Sequence, residues 1–386
     1  MSLEFMKPVS DAAQAHAMLQ PQRTIGSSIK IHTSHTGMPD LNDVQLVVIG
    51  LLENRRDENS LQQLQSVDQV RKQFYELYPG NWTSSIVDLG DVHAGDQVDD
   101  TYFVIKNITS QLVVKNIIPI FLGGSQDLMY PIYRAFDDIQ HMINVVNIDS
   151  RFDLGDIEAP ISSRSYVGKM VTEQPYNLFN YSNLGYQTYF NSQDEIDLLD
   201  RMYFDATRLG TLDEDITLSE PVLRDADVVG IDIGVVKAGD TAFAKAYPNG
   251  LTGKNACRLS RYSGISDRLK VFGIFEIPVD ESVTGSQLIA EMIWYFIEGF
   301  NFRSGEYPLI IDESYIKYRV PIEDDVLTFY KSTSTERFWI ELPFITNVNN
   351  KLKQRTLLPC NRQDYEMACD QIMPERWLKA RRKNEV

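Results

Sequence analysis

Short apolar runs recur along this chain, each ending in or followed by a glycine or an acid: Val44 to Gly50, Ser85 to Leu89, Ile117 to Leu122, Ile143 to Ile148, Val228 to Ile233 and Val271 to Phe275. Such runs suit strands covered on both faces. Helical spacing lies between them. Ser66 to Tyr78 places Val67, Val70, Phe74 and Leu77 on one face, and Asp99 to Lys115 does the same with Tyr102, Ile105, Ile108 and Leu112. Leu128 to Phe136 is helical, and Ser286 to Phe300 carries Leu288, Ile289, Met292, Ile293, Phe296 and Ile297 behind Thr284 as N-cap. The alternation predicts an α/β fold around a mainly parallel sheet, in which ligands sit outside the carboxyl ends of the strands. The residues just after Leu122, Ile148, Ile233 and Phe275 are therefore the ones to inspect for function.

The pattern divides the chain into three parts. Residues 1–43 are polar, with Pro8, Pro21 and Pro39, and read as a helix from Ser10 to Leu19 followed by an irregular lead-in. Residues 44–305 carry the alternation. Residues 306–386 form a C-terminal extension with a β-hairpin, Leu327 to Ser332 and Arg337 to Leu342, and a terminal helix. The basic cluster Arg376, Lys379, Arg381, Arg382 and Lys383 suits the solvated end of that helix, where cations favour the dipole. A dock for an acidic partner is the sharper reading of the same residues.

With 54 acidic against 37 basic residues, the formal net charge is -17. That argues against nucleic acid or an anionic membrane as partner and leaves an unknown small molecule or protein. No apolar stretch reaches the roughly 18 residues of a membrane span, and the start shows no secretory pattern. Cys257, Cys360 and Cys369 are sparse and lack metal-like spacing, so they read as reduced thiols and the expected location is cytoplasmic. Dinucleotide, P-loop and nucleophile-elbow motifs are absent.

The strand end Asp149-Ser150-Arg151-Phe152-Asp153 is the most informative. On an extended backbone Asp149, Arg151 and Asp153 share a face. Neighbouring carboxylates need a cation between them, either a metal ion or Arg151. The other ends read Gly123-Gly124-Ser125-Gln126-Asp127, Gly230-Ile231-Asp232-Ile233-Gly234 and Glu276-Ile277-Pro278-Val279-Asp280. In this order they resemble the ureohydrolase family of arginase, agmatinase and formimidoylglutamase, which carries GGDHS, DAHxD, SxDxD and ExNPxxD at these ends. Asp88-Leu89-Gly90-Asp91 is similar to the family's DLGD. Asn183-Leu184-Gly185-Tyr186-Gln187 and Phe190-Asn191-Ser192 look like its formimidoylglutamase branch, and Gly250-Leu251-Thr252 is similar to its GGL(T/S) segment.

The resemblance implies a three-layer α/β/α fold, a homo-oligomer, and a binuclear manganese site whose bridging water attacks a guanidinium or amidine carbon. Asp149, Asp153 and Asp232 stand at ligand positions. Gln126 and Arg151 replace the two histidines, and Gly234 replaces the fourth aspartate. Ser125 and Lys237 stand at two further positions where the family has aspartate. Glycine offers no ligand, glutamine a poor one, and arginine cannot be deprotonated to coordinate. Arg151, helped by Lys237, is expected to neutralise Asp149, Asp153 and Asp232 in a buried salt-bridge cluster, with no metal cofactor. Glu276 stands at the family's guanidinium-binding position, either surviving in an old pocket or pairing with a nearby base. None of the histidines, His16, His32, His35, His93 and His141, falls at a matched position. The expectation is a non-catalytic binding or scaffold protein. The alternatives are a manganese-dependent hydrolase of a linear amidine C–N bond and a partner-binding role for residues 306–386.

Overall fold

The computed structural model describes residues 2–58, 62–139, 142–243, 246–279, 282–306, 312–323, 325–342 and 356–385. Its strands are β1 (Lys30–Ile31), β2 (Leu46–Leu52), β3 (Ile86–His93), β4 (Ile118–Leu122), β5 (Ile143–Ile148), β6 (Leu178–Tyr186), β7 (Asp205–Arg208), β8 (Val228–Asp232), β9 (Val271–Phe275), β10 (Tyr315–Ile322), β11 (Asp325–Ser332), β12 (Phe338–Leu342) and β13 (Thr356–Cys360). The first nine form one sheet in the order β1-β3-β2-β4-β9-β8-β5-β6-β7, and every pairing in it is parallel. The last four form an antiparallel sheet, which contains the expected hairpin as β11 and β12.

Apolar residues on both sides of a strand require cover on both faces, and β2 shows it. Leu46, Val48 and Leu52 enter one core, while Val47, Ile49 and Leu51 enter the other. Helix Val283–Asn301 packs in the first core through Leu288, Ile289, Met292, Ile293, Phe296 and Ile297. Its N-cap is Ser282, whose side chain accepts from the Gly285 N–H at 3.2 Å, rather than the expected Thr284. Helix Val98–Val114 packs in the second core through Ile105, Ile108 and Leu112. This is the α/β architecture expected from the alternation. Among the described residues, no helix is long and apolar enough to cross a membrane.

The polar leader is less irregular than its composition suggests. Ser10 caps helix Asp11–Met18, accepting from Ala13 N at 3.1 Å. Val9, Ala13, Ala17 and Ile25 are buried in the first core, and β1 joins the sheet beside β3. Lys7 bridges Asp91 through reciprocal backbone bonds of 2.8 and 2.9 Å. Gly90, at φ 84°, makes this approach possible, since a Cβ there would stand 1.9 Å from the Lys7 carbonyl oxygen. Gly90→Ala is expected to cost about 2–4 kcal/mol from overpacking and positive φ. Urea unfolding should show this as a lower midpoint at unchanged slope.

The C-terminal sheet has its own apolar cluster, including Val320, Leu327, Phe329, Phe338, Ile340, Leu358 and Trp377. The basic cluster of the terminal helix Glu375–Glu385 is largely engaged within the molecule, not solvated as expected. Arg376 lies 3.5 Å from Asp225, Lys379 is 3.0 Å from Glu375, and Arg381 is 2.8 Å from Asp325. Lys383 donates to the Asn180 side chain, and its ammonium stands 5.1 Å from the Phe204 ring centroid. Only Arg382 of the five stays exposed.

Candidate functional site

The four inspected strand ends belong to β4, β9, β8 and β5, which are consecutive neighbours in the sheet. Their carboxyl ends therefore converge, as a parallel sheet dictates. Gly123 and Gly124, both at positive φ, turn the chain at the end of β4. A Cβ on Gly124 would stand 2.4 Å from Leu128 and 2.8 Å from the Glu53 carbonyl oxygen. This turn brings Gln126 over β9, where its backbone N–H donates to Glu276 Oε1 at 2.7 Å. Glu276, at φ 57°, donates its own N–H to the Gly124 carbonyl at 2.9 Å. Asp232, closing β8, accepts from the Gly234 N–H at 2.7 Å. Asp149, just past β5, accepts from the Arg151 N–H at 2.8 Å.

Asp149, Asp153 and Asp232 are all buried. Burial drives the Asp149 carboxyl well above its ordinary value, reinforced by the Asp153 charge and by a hydrogen bond to Asp153. Burial also pushes Asp153 up to about 6, against the opposing pull of Arg164. Asp232 is pushed up to about 7, by burial first and then by Asp149. Glu276 is raised well above the usual carboxyl range, by burial and then by Asp232.

The cation that meets this cluster is Arg164. Its Nη1 lies 3.5 Å from Asp153 Oδ1. Burial works against its charge, but Asp153, Asp232, Asp149 and Glu276 outweigh that and hold the guanidinium protonated. Arg151 behaves differently from expectation. Its Nη1 donates to the Phe190 carbonyl at 3.0 Å, and its guanidinium stands 4.3 Å from the Phe190 ring centroid. The reason is local: β5 ends at Ile148, and the backbone then turns, reaching φ 53° at Asp153, so strand alternation no longer sets where side chains point. Lys237 also takes another partner, Asp240, at 3.4 Å. Gln126 turns its amide Nε2 to the Tyr166 hydroxyl at 3.0 Å. His141 and Asp280 lie outside the described residues.

A cavity of about 290 Å³ opens above the cluster, with Asp57, Arg164, Asp232, Glu276, Phe243 and Tyr247 in its wall. Sequence reasoning named Asp232 and Glu276 but missed Arg164, which sits in a connection without motif or periodicity. Ser162 holds that connection in place, accepting from the Arg164 N–H at 3.2 Å while its own N–H donates to Ser165 Oγ at 2.9 Å. Phe243 and Tyr247, on the loop after β8, were missed as well.

The model of the arginase family matches residues 45–293. This chain belongs to the arginase family. Solved structures similar to this family member include a formiminoglutamase from Trypanosoma cruzi with manganese, at 14% identity and TM-score 0.60, covering 68% of this chain and 96% of that one. A formimidoylglutamase from Bacillus subtilis shows 16% identity and TM-score 0.61 over 69% and 91% of the two chains. An agmatine ureohydrolase from Thermoplasma volcanium shows 16% identity and TM-score 0.58 over 73% and 95%. No curated protein sequence matches the chain. At these identities the likeness is one of fold.

The donors of this arginase-family chain do not suit a pair of divalent ions. Arginine cannot coordinate and glutamine is a poor ligand, Gly234 has no side chain to offer, and the Arg164 guanidinium already faces the carboxylates. Among the described residues, no three His, Cys, Asp or Glu side chains are arranged to hold a metal ion.

Proposed function

We propose that this arginase-family chain is a non-hydrolytic binding protein, whose cavity above the strand ends takes a small molecule and whose carboxylate cluster is neutralised by Arg164. The position of Arg164 carries this reading, 3.5 Å from Asp153 and electrostatically coupled to Asp149, Asp232 and Glu276. A guanidinium cannot be deprotonated to make room for a metal. A divalent ion beside it would meet repulsion of about 8 kcal/mol at 4 Å and an effective dielectric near 20. The test is elemental analysis of purified protein after manganese loading, together with assays for urea, formamide and ammonia release from arginine, agmatine and formimidoylglutamate. The expected result is no stoichiometric manganese and no release. Stoichiometric metal with turnover overturns the reading.

The second reading, a metal-dependent hydrolase of a linear amidine C–N bond, draws on one observation. Gln126 Oε1 is a buried acceptor with no hydrogen-bond partner among the described residues. That reading needs the guanidinium out of the cluster, so under it Arg164→Ala should raise manganese uptake and hydrolysis. Under the first, the same variant gains neither manganese nor hydrolysis.

A further inference from the structure

β8 and β9 are neighbours in register, with Asp232 opposite Phe275, so Asp232 and Glu276 stand next to each other where the two strands end. Each carboxylate has one oxygen turned to a backbone N–H. Glu276 Oε1 accepts from Gln126 at 2.7 Å, and Asp232 Oδ1 accepts from Gly234 at 2.7 Å. The other two oxygens, Glu276 Oε2 and Asp232 Oδ2, accept no hydrogen bond among the described residues and are not sealed from solvent. Both side chains line the cavity of about 290 Å³ above the strand ends.

Positive charge is short in the wall of this cavity. Among the described residues it holds three acids, Asp57, Asp232 and Glu276, and one cation, Arg164. Arg164 makes its ion pair at 3.5 Å with Asp153, which is not part of the wall. Burial, then Asp232 and then Asp57 raise the Glu276 carboxyl well above its usual range, a sign of acids that crowd one another. Much of the remaining wall is apolar. Ile277, Pro278 and Val279 follow Glu276, and Phe243 and Tyr247 come from the loop after β8. The Tyr247 ring packs on Phe190, with 4.5 Å between the ring centroids.

A cavity of this size takes one small organic molecule. The acids favour a cation at one end of it, and the rings and aliphatic side chains favour an apolar body. The kind of cation follows from the oxygens. A guanidinium or amidinium binds best through two parallel N–H groups that meet both oxygens of one carboxylate. Here one oxygen of each carboxylate is already turned to the backbone. An ammonium ion has three donors that point to separate acceptors, so it matches two single oxygens on two side chains. We infer, on the reading of this cavity as a binding site, that its ligand is a primary amine on an apolar body, with the ammonium held by Glu276 Oε2 and Asp232 Oδ2. The body lies along Phe243, Tyr247 and Val279.

The primary test uses unmodified protein: calorimetric titration at pH 8 with three probes that share one body, phenethylamine, phenethylguanidine and phenethyl alcohol. The amine is expected to bind at least about tenfold more tightly than either of the others. A guanidine that binds as tightly as the amine overturns the choice of head group. An alcohol that does so overturns the role of charge, and no measurable binding of the amine overturns the inference as a whole. Glu276→Gln should remove most of the preference for the amine over the alcohol, whereas Tyr247→Ala should weaken both and keep the preference. A full preference in Glu276→Gln places the head group elsewhere and sinks the assignment. These affinities are separate from turnover: manganese uptake with hydrolysis refutes the non-hydrolytic reading, and the order of the three probes decides the ligand class alone.

Discussion

Arg164→Leu is expected to lower stability by about 1 kcal/mol near pH 5 and about 3 kcal/mol near pH 8, read from urea unfolding at the two pH values. The dependence comes from the carboxyls it faces. Folded Asp153 titrates at about 6 and Asp232 at about 7, both above the ordinary carboxyl range. Between those values and about pH 4 the native chain holds protons that the unfolded chain releases. Their contribution is thus fully present below about pH 4 and lost as pH rises through 6 to 7. With Arg164 in place the loss is partial. Without it, the ionising carboxylates share a buried space from which the nearest guanidinium has been removed, and the penalty grows with pH. About a quarter of the Arg164 side chain is exposed, so its expected effect is set below that of a fully buried partner. A penalty equal at both pH values would mean that leucine merely packs badly and that Arg164 does not compensate the cluster.

The second large effect lies at β3, beyond β2 from the cluster's strands. Arg71 is fully buried on helix Asp68–Glu76 and gathers the Asp88-Leu89-Gly90-Asp91 segment. Its Nε lies 2.9 Å from Asp88 Oδ2, its Nη1 2.8 Å from Asp91 Oδ1, and its Nη2 donates to the Gly90 carbonyl at 2.9 Å. The Tyr75 hydroxyl adds a bond to Asp88 Oδ2 at 2.8 Å. Arg71→Met leaves two buried carboxylates without their cation and is expected to cost about 3–5 kcal/mol. Adding Asp88→Asn and Asp91→Asn should recover more than half of that loss, because the penalty is the orphaned charge and not the missing methylenes. If the triple variant is no more stable than Arg71→Met, packing and not charge dominates.

What could be read in the sequence follows from how each element is buried. β2, β4, β5, β8 and β9 are covered on both faces, so their apolar runs identify them directly. β6 escaped because Asn180, Ser182 and Asn183 interrupt its apolar character. They are buried all the same, because they find partners: Asn183 Nδ2 donates to the Arg151 carbonyl at 2.6 Å, and Asn180 Nδ2 to Ser182 Oγ at 3.0 Å. β7 is four residues long and β1 only two, too short for any periodicity. The strand ends that carry Gln126, Asp149, Asp153, Asp232, Gly234 and Glu276 were legible because neighbouring strands of a parallel sheet bring their carboxyl ends together. Arg164 was not, because its connection reaches the cluster only through three-dimensional folding. The mistake over Arg151 has the opposite origin, since strand geometry was extended past the residue where the strand stops.

The docking of helix Glu375–Glu385 bears on how the chain assembles in time. Its lysines reach the Phe204 carbonyl, Asp205 and Asn180, on or beside the outermost strands β6 and β7. These strands leave the ribosome long before that helix does. During synthesis this margin of the sheet therefore waits without its cover, and an uncovered margin invites pairing with other nascent chains.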